Sequence, residues 1–83
     1  MFINKAKTGA NNLCGVRIAK LRTQMSISQR ELADRLQLLG LDMDKNAIQR
    51  IEAGKRFVTD IELVTIKNFF KVSYEALLEE TKP

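Results

Sequence analysis

The 83-residue chain contains no histidine, no tryptophan, one cysteine and one proline. Without histidine the commonest general base is missing, and a lone thiol leaves no zinc site of the usual ligand type. That thiol, Cys14, excludes an intrachain disulfide framework and fits a reducing compartment. Proline stands only at position 83, so nothing forbids helix from Leu13 onward. No apolar run reaches the roughly 18–20 residues that span a bilayer. The opening, MFINKAKTGANN, lacks the apolar stretch of a signal peptide. Glycine-rich phosphate loops and paired carboxylates are missing as well. Asp42-Met-Asp44-Lys-Asn46 imitates the start of a calcium-binding loop, but Ala47 stands where that loop needs glycine and Ala53 where it needs glutamate. These absences predict a soluble, cytoplasmic domain with no catalytic residue, no metal site, no cofactor and no membrane partner.

What is present suits one small globular unit: 45% hydrophobic and 29% charged residues, in a length that rarely holds two cores. The formal charge of +4 is unevenly spread. Residues 1–56 carry eleven Lys/Arg against five Asp/Glu, and residues 57–83 carry three against five. The basic part suits a polyanion such as nucleic acid, and the acidic end would stay clear of it.

The helical period recurs along the chain, and period-two alternation is scarce. A first helix over about 13–25 would turn Val16, Ile18, Leu21 and Met25 inward, with Cys14 a small core residue near its start. Ser28 and Glu31 form a capping box for a second helix, with Ile27 and Leu32 as the hydrophobic staple. Leu32, Leu36 and Leu39 would make its inner stripe, and Gly40 is a natural residue just past its end. A third helix begins at Asp44, stapled by Met43 and Ile48, and stops at Gly54. Thr59 and Glu62 make a second capping box, with Val58 and Leu63 as staple and Leu63, Ile66 and Phe70 inward. Ser73 caps a fifth helix, stapled by Val72 and Leu77. The expectation is an all-α bundle of five short helices at 13–80, preceded by a flexible arm at 1–12.

The third helix, about 44–53, carries the functional signal. Ile48 and Ile51 anchor one side, and Lys45, Asn46, Gln49 and Arg50 occupy the other. Many surface helices have a polar outer face. These four types, however, also suit base edges in a major groove, Asn and Gln for adenine and Lys and Arg for guanine. Ser28 and Gln29 open helix two, where free N–H groups favour a phosphate. Lys55 and Arg56 follow helix three as a second phosphate contact would, and Lys20, Arg22 and Arg30 add charge nearby.

Three ordered stretches carry a resemblance: Arg17-Ile-Ala-Lys-Leu-Arg22, Ser28-Gln29-Arg-Glu31-Leu-Ala33, and Ile48-Gln-Arg-Ile-Glu52-Ala-Gly54-Lys55-Arg56. With Thr59-Asp-Ile-Glu-Leu-Val and Val72-Ser-Tyr-Glu-Ala-Leu-Leu78, the chain resembles the Cro/C1-type (Xre family) helix-turn-helix domain over about residues 13–79. The resemblance implies a compact five-helix bundle of the lambda-repressor-like type, with helix three as recognition helix. It implies phosphate contacts from Ser28, Gln29, Lys55 and Arg56, and base contacts from Lys45, Asn46, Gln49 and Arg50. It also implies a structural ion pair between Arg22 and Glu52. The connection between helices two and three is longer than the family's tight turn, so helix two is expected to run an extra turn and Leu38, Leu39 and Leu41 need apolar cover.

The expected partner is double-stranded DNA, bound as a homodimer on a pseudo-palindromic operator, with the chain acting as a transcriptional repressor. Phe57, Phe69, Tyr74 and Leu78 are candidates to be shared between core and dimer contact. A second class of reading is a protein-interaction module, such as the antitoxin of a toxin–antitoxin pair, with a toxin or co-regulator as partner.

Overall fold

A computed structural model describes residues 5–6 and 8–79. Five helices fill the described part: α1 (Gly15–Gln24), α2 (Gln29–Leu38), α3 (Lys45–Glu52), α4 (Asp60–Phe70) and α5 (Tyr74–Leu78). No strand occurs among the described residues. The fold is the all-helical bundle that the periodicity predicts.

Local chemistry sets the start of each helix. Both capping boxes form, with Ser28 accepting from the Glu31 N–H and Thr59 from the Glu62 N–H. Asp44 accepts from the Ala47 N–H at 2.8 Å, and Ser73 accepts from the Ala76 N–H at 3.1 Å. Each such cap is worth about 1 kcal/mol. Cys14, at the cap position of α1, makes no side-chain cap; the Gly15 N–H donates instead to Asn12 Oδ1 at 2.8 Å.

The core gathers one stripe from each helix. Ile18, Leu32, Leu36, Ile48, Ile51, Ile66 and Leu77 are fully enclosed, joined by Cys14, Ile27, Leu41 and Met43. Ile27 with Leu32, and Met43 with Ile48, are staple pairs in which both members are buried. α2 packs on α3 more extensively than any other pair, and α1 also lies against α3. Truncating Ile48 or Ile51 to alanine would cost about 2–5 kcal/mol and free the helix between them.

Three expected core residues face solvent. Val16 is 74% exposed, because residues two apart on a helix lie nearly opposite and Ile18 takes the inner side. The inward stripe of α1 is Cys14, Ile18 and Leu21. Met25 falls beyond the last turn, where Ser26 adopts a positive φ of 58°. Leu39 is displaced by the way α2 ends. Gly40, at φ 90°, donates to the Gln37 carbonyl, and Leu41 donates to the Leu36 carbonyl. That paired reversal is a Schellman motif, and it swings Leu41 onto Leu36 while turning Leu39 outward. Leu41 finds its cover. Leu38 and Leu39, 86% and 56% exposed, do not. α2 ends at Leu38, and Gln37 spans the connection Leu39–Asp44 by donating from Nε2 to the Met43 carbonyl at 2.9 Å.

Of the flexible arm expected at 1–12, residues 1–4 and 7 lie outside the described residues. Asn11 and Asn12 are hydrogen-bonded to the end of α3 and the loop after it.

Candidate nucleic-acid interface

α3 has two unlike sides, as its spacing requires. At 100° per residue Ile48 and Ile51 share one side and are buried. Lys45, Asn46, Gln49 and Arg50 fall on the opposite arc, and all four are exposed. None makes a side-chain hydrogen bond or ion pair among the described residues. A short helix thus presents two cations and two amides with their donors unsatisfied.

The cations around it divide into tied and free. Arg22, from α1, meets Glu52 at the end of α3 through two bonds, Nε to Oε2 at 2.7 Å and Nη2 to Oε1 at 3.0 Å. Its Nη1 donates to the Ile27 carbonyl at 2.9 Å. The two side chains are only 15% and 8% exposed, so the pair is a structural pin. The Glu52 carboxylate, by hydrogen bond first and charge second, holds the Arg22 guanidinium above its ordinary pKa range.

Arg56 is also tied. Its Nη1 and Nη2 donate to the Glu62 carboxylate at 2.9 and 2.8 Å. The Arg56 bond, opposed by desolvation and helped by bonds from Thr59, holds the Glu62 carboxyl below the usual range. The guanidinium of Arg56 therefore fastens α4 to the end of α3, a use its position in the sequence does not announce. Lys55 beside it is exposed, with no side-chain partner among the described residues. Arg17 lies elsewhere, donating to the carbonyls of Ala76 and Glu79 on the α5 side.

Gln29 is turned by the same carboxylate that holds Arg22, donating from Nε2 to Glu52 Oε1 at 3.0 Å. This brings the first turn of α2 beside the last turn of α3. The Gln29 and Arg30 N–H groups precede the first intrahelical donor, Leu32, and point off the helix end. Ser28 uses its oxygen to accept from Glu31, 3.0 Å away. Gln29 and Arg56 were both expected against phosphate; the structure engages the Gln29 Nε2 with Glu52 and the Arg56 guanidinium with Glu62.

Two features had little signal in the sequence. The Arg56–Glu62 pair spans a loop, where no periodic rule links its members. The Asn12 contacts reach residues 51 and 56, and only their local part, the bond to Gly15 three residues on, has a sequence pattern. Cys14 is buried, and desolvation pushes its thiol up to about 11. No group of three metal-ligating side chains occurs among the described residues, and none of the described helices is long and apolar enough to cross a membrane.

Comparison with curated proteins and with solved structures returns no match. Residues 18–77, well over half the chain, match the family model described as helix-turn-helix. That span takes in the pinned pair Arg22–Glu52, the α2–α3 unit and its free polar face. With an all-helical bundle whose second and third helices form the turn unit, this chain belongs to the Cro/C1-type helix-turn-helix family of DNA-binding domains.

Proposed function

We propose that the protein is a sequence-specific transcriptional regulator, acting in the cytoplasm as a repressor by inserting α3 into the major groove of operator DNA. The observation that carries this reading is the outer face of α3, where Lys45, Asn46, Gln49 and Arg50 stand unpartnered above a fully buried inner face. Base edges would satisfy the donors and acceptors that the fold leaves open. Lys55 and the first turn of α2, with Ser28 and Gln29, would meet phosphate on either side and set the register. Arg56 supports that corner through Glu62.

A two-fold dimer on a pseudo-palindromic operator doubles what one short helix can read. Of the residues considered for a dimer contact, Phe57 and Tyr74 are 56% and 43% exposed. Phe69 packs edge-to-face on Phe70 at 5.0 Å and belongs with Leu78 to the border of the core.

The test is a binding selection from fragmented genomic DNA of the source organism at near-physiological salt, followed by variants on the recovered site. An inverted repeat is the expected result. Asn46→Ala or Arg50→Ala should then weaken that site by roughly 1–3 kcal/mol and relax preference at one base pair. Lys55→Ala should weaken all sequences alike and make the salt slope shallower by about one. Equal losses on specific and random DNA for all three variants would refute the assignment of α3 to base reading. Folded protein that enriches nothing would refute sequence-specific binding.

A further inference from the structure

α3 ends by the same paired reversal as α2, with Gly54 donating to the Ile51 carbonyl and Lys55 to the Arg50 carbonyl. The carbonyls that follow would ordinarily face water. Here they face the segment before α1. The Asn11 backbone N–H donates to the Gly54 carbonyl at 2.8 Å, and Asn11 Nδ2 donates to the Lys55 carbonyl at 3.2 Å. Asn12 Nδ2 donates to two carbonyls, Ile51 at 3.0 Å and Arg56 at 2.8 Å, while its Oδ1 accepts from the Gly15 N–H. One amide thus joins the start of α1, the last turn of α3 and the loop into α4. The approach is close: a Cβ on Gly15 would lie 2.1 Å from the Ile51 carbonyl oxygen.

Residues 54–56 are consequently held from both sides. Asn11 and Asn12 hold their backbone carbonyls, and Glu62 holds the Arg56 side chain. Lys55 alone in this loop projects a charged side chain with no partner among the described residues. Asn11 Oδ1 is buried and accepts no bond among the described residues. The same amide gives its N–H to the Lys55 carbonyl, which offsets part of the cost of that unpartnered oxygen. We infer that Asn11 and Asn12 are positioning residues for DNA binding, clasping the backbone of the Lys55 corner so that its ammonium is aimed at a backbone phosphate before the duplex arrives. The inference rests on the DNA-binding reading above. Its physical basis is preorganisation, since a loop already ordered by the fold loses less freedom when it binds.

Asn11→Ala is the clean probe, because the backbone N–H bond to Gly54 survives it; Asn12→Ala removes two carbonyl contacts and a helix cap and is expected to lower stability too. Binding to a random-sequence duplex is followed by fluorescence anisotropy from about 50 to 300 mM salt, with folding checked by circular dichroism. With Lys55→Ala shallowing the salt slope by about one, Asn11→Ala should shallow it in the same direction. Its affinity loss should be about three- to tenfold, and in a Lys55→Ala background Asn11→Ala should cause no further loss, because its effect passes through Lys55. Unchanged affinity and slope in folded Asn11→Ala would overturn the inference, as would losses that simply add in the double variant. Wild-type protein with no salt-dependent DNA binding would overturn the functional reading itself, and that result is distinguishable from failure of the clasp alone.

Discussion

Replacing Glu52 by leucine tests the pin between α1 and α3 with little change in side-chain volume. The substitution removes both bonds from Arg22, at 2.7 and 3.0 Å, and the bond from Gln29 at 3.0 Å. It leaves a guanidinium that is only 15% exposed with the Ile27 carbonyl as its remaining partner. Breaking a buried pair from one side costs about 3–5 kcal/mol, and the partial exposure of Arg22 places this case near 3. For a domain of this size that corresponds to a fall in Tm of about 12–24 °C. The reference is a stability of about 5–15 kcal/mol for folded proteins generally, so the single variant would still fold but close to its limit. The assay is urea unfolding followed by far-UV circular dichroism at neutral pH, on Glu52→Leu and on the double variant Arg22→Met/Glu52→Leu. The double variant should recover more than half of the loss, because no charge is left stranded. A single-variant loss below about 1 kcal/mol would refute the reasoning by showing that water screens the pair as it does at a surface. A double variant no better than the single one would refute it from the other side.

Three further outcomes are expected. Gly15→Ala should cost at least about 1–3 kcal/mol by calorimetry, because the added carbon lies 2.1 Å from the Ile51 carbonyl oxygen and 2.7 Å from Asn12 Oδ1; Gly40→Ala, with nothing within 4 Å, should cost only the strain of its positive φ, about 1 kcal/mol. Cys14, buried and with its thiol pushed up to about 11, should resist iodoacetamide at pH 8 and react at the rate of unfolding when urea is added, as read by mass spectrometry. The Arg56 bond lowers the folded pKa of Glu62, so its stabilisation is present above the unfolded carboxylate range near pH ~4.3 and is lost as pH falls through the lower folded value; Glu62→Gln should therefore lower stability at pH 7 and flatten its decline below about pH 5, measured by urea midpoints across pH.

The fold was readable because its signals are local and agree with one another. Ser28 with Glu31, Thr59 with Glu62, Asp44 and Ser73 each mark a helix start within one turn of sequence, and staples such as Met43 with Ile48 couple those starts to the core. The outer face of α3 followed from the same period. Where the reading failed, the causes were the geometry of a helix end for Leu39 and helical phase for Val16. Leu39 fits the α2 stripe by spacing, but the Schellman reversal hands its place to Leu41, and Val16 loses its place to Ile18. The tied states of Arg56 and Gln29 and the docking of Asn11 and Asn12 depend on contacts between distant positions, for which charge and spacing along the chain give no measure. The Arg22–Glu52 geometry was reachable only through the family resemblance, because thirty residues separate the partners.

The Schellman turn at Gly40 also bears on how such a chain can change over generations. Leu41 and Met43 plug the core from the α2–α3 connection, while Leu38, Leu39, Gly40 and Asp42 hang outside it. A residue inserted beside Asp42 would meet solvent, and loop closure grows by only about 0.6 kcal/mol per doubling of length. The stretch from Met43 to Gly54 is thereby bounded as a cassette, fixed by two inward isoleucines and replaceable in its outward letters. A lineage built on this scaffold can alter the side chains that α3 presents, and the angle at which they are offered, without reopening the core.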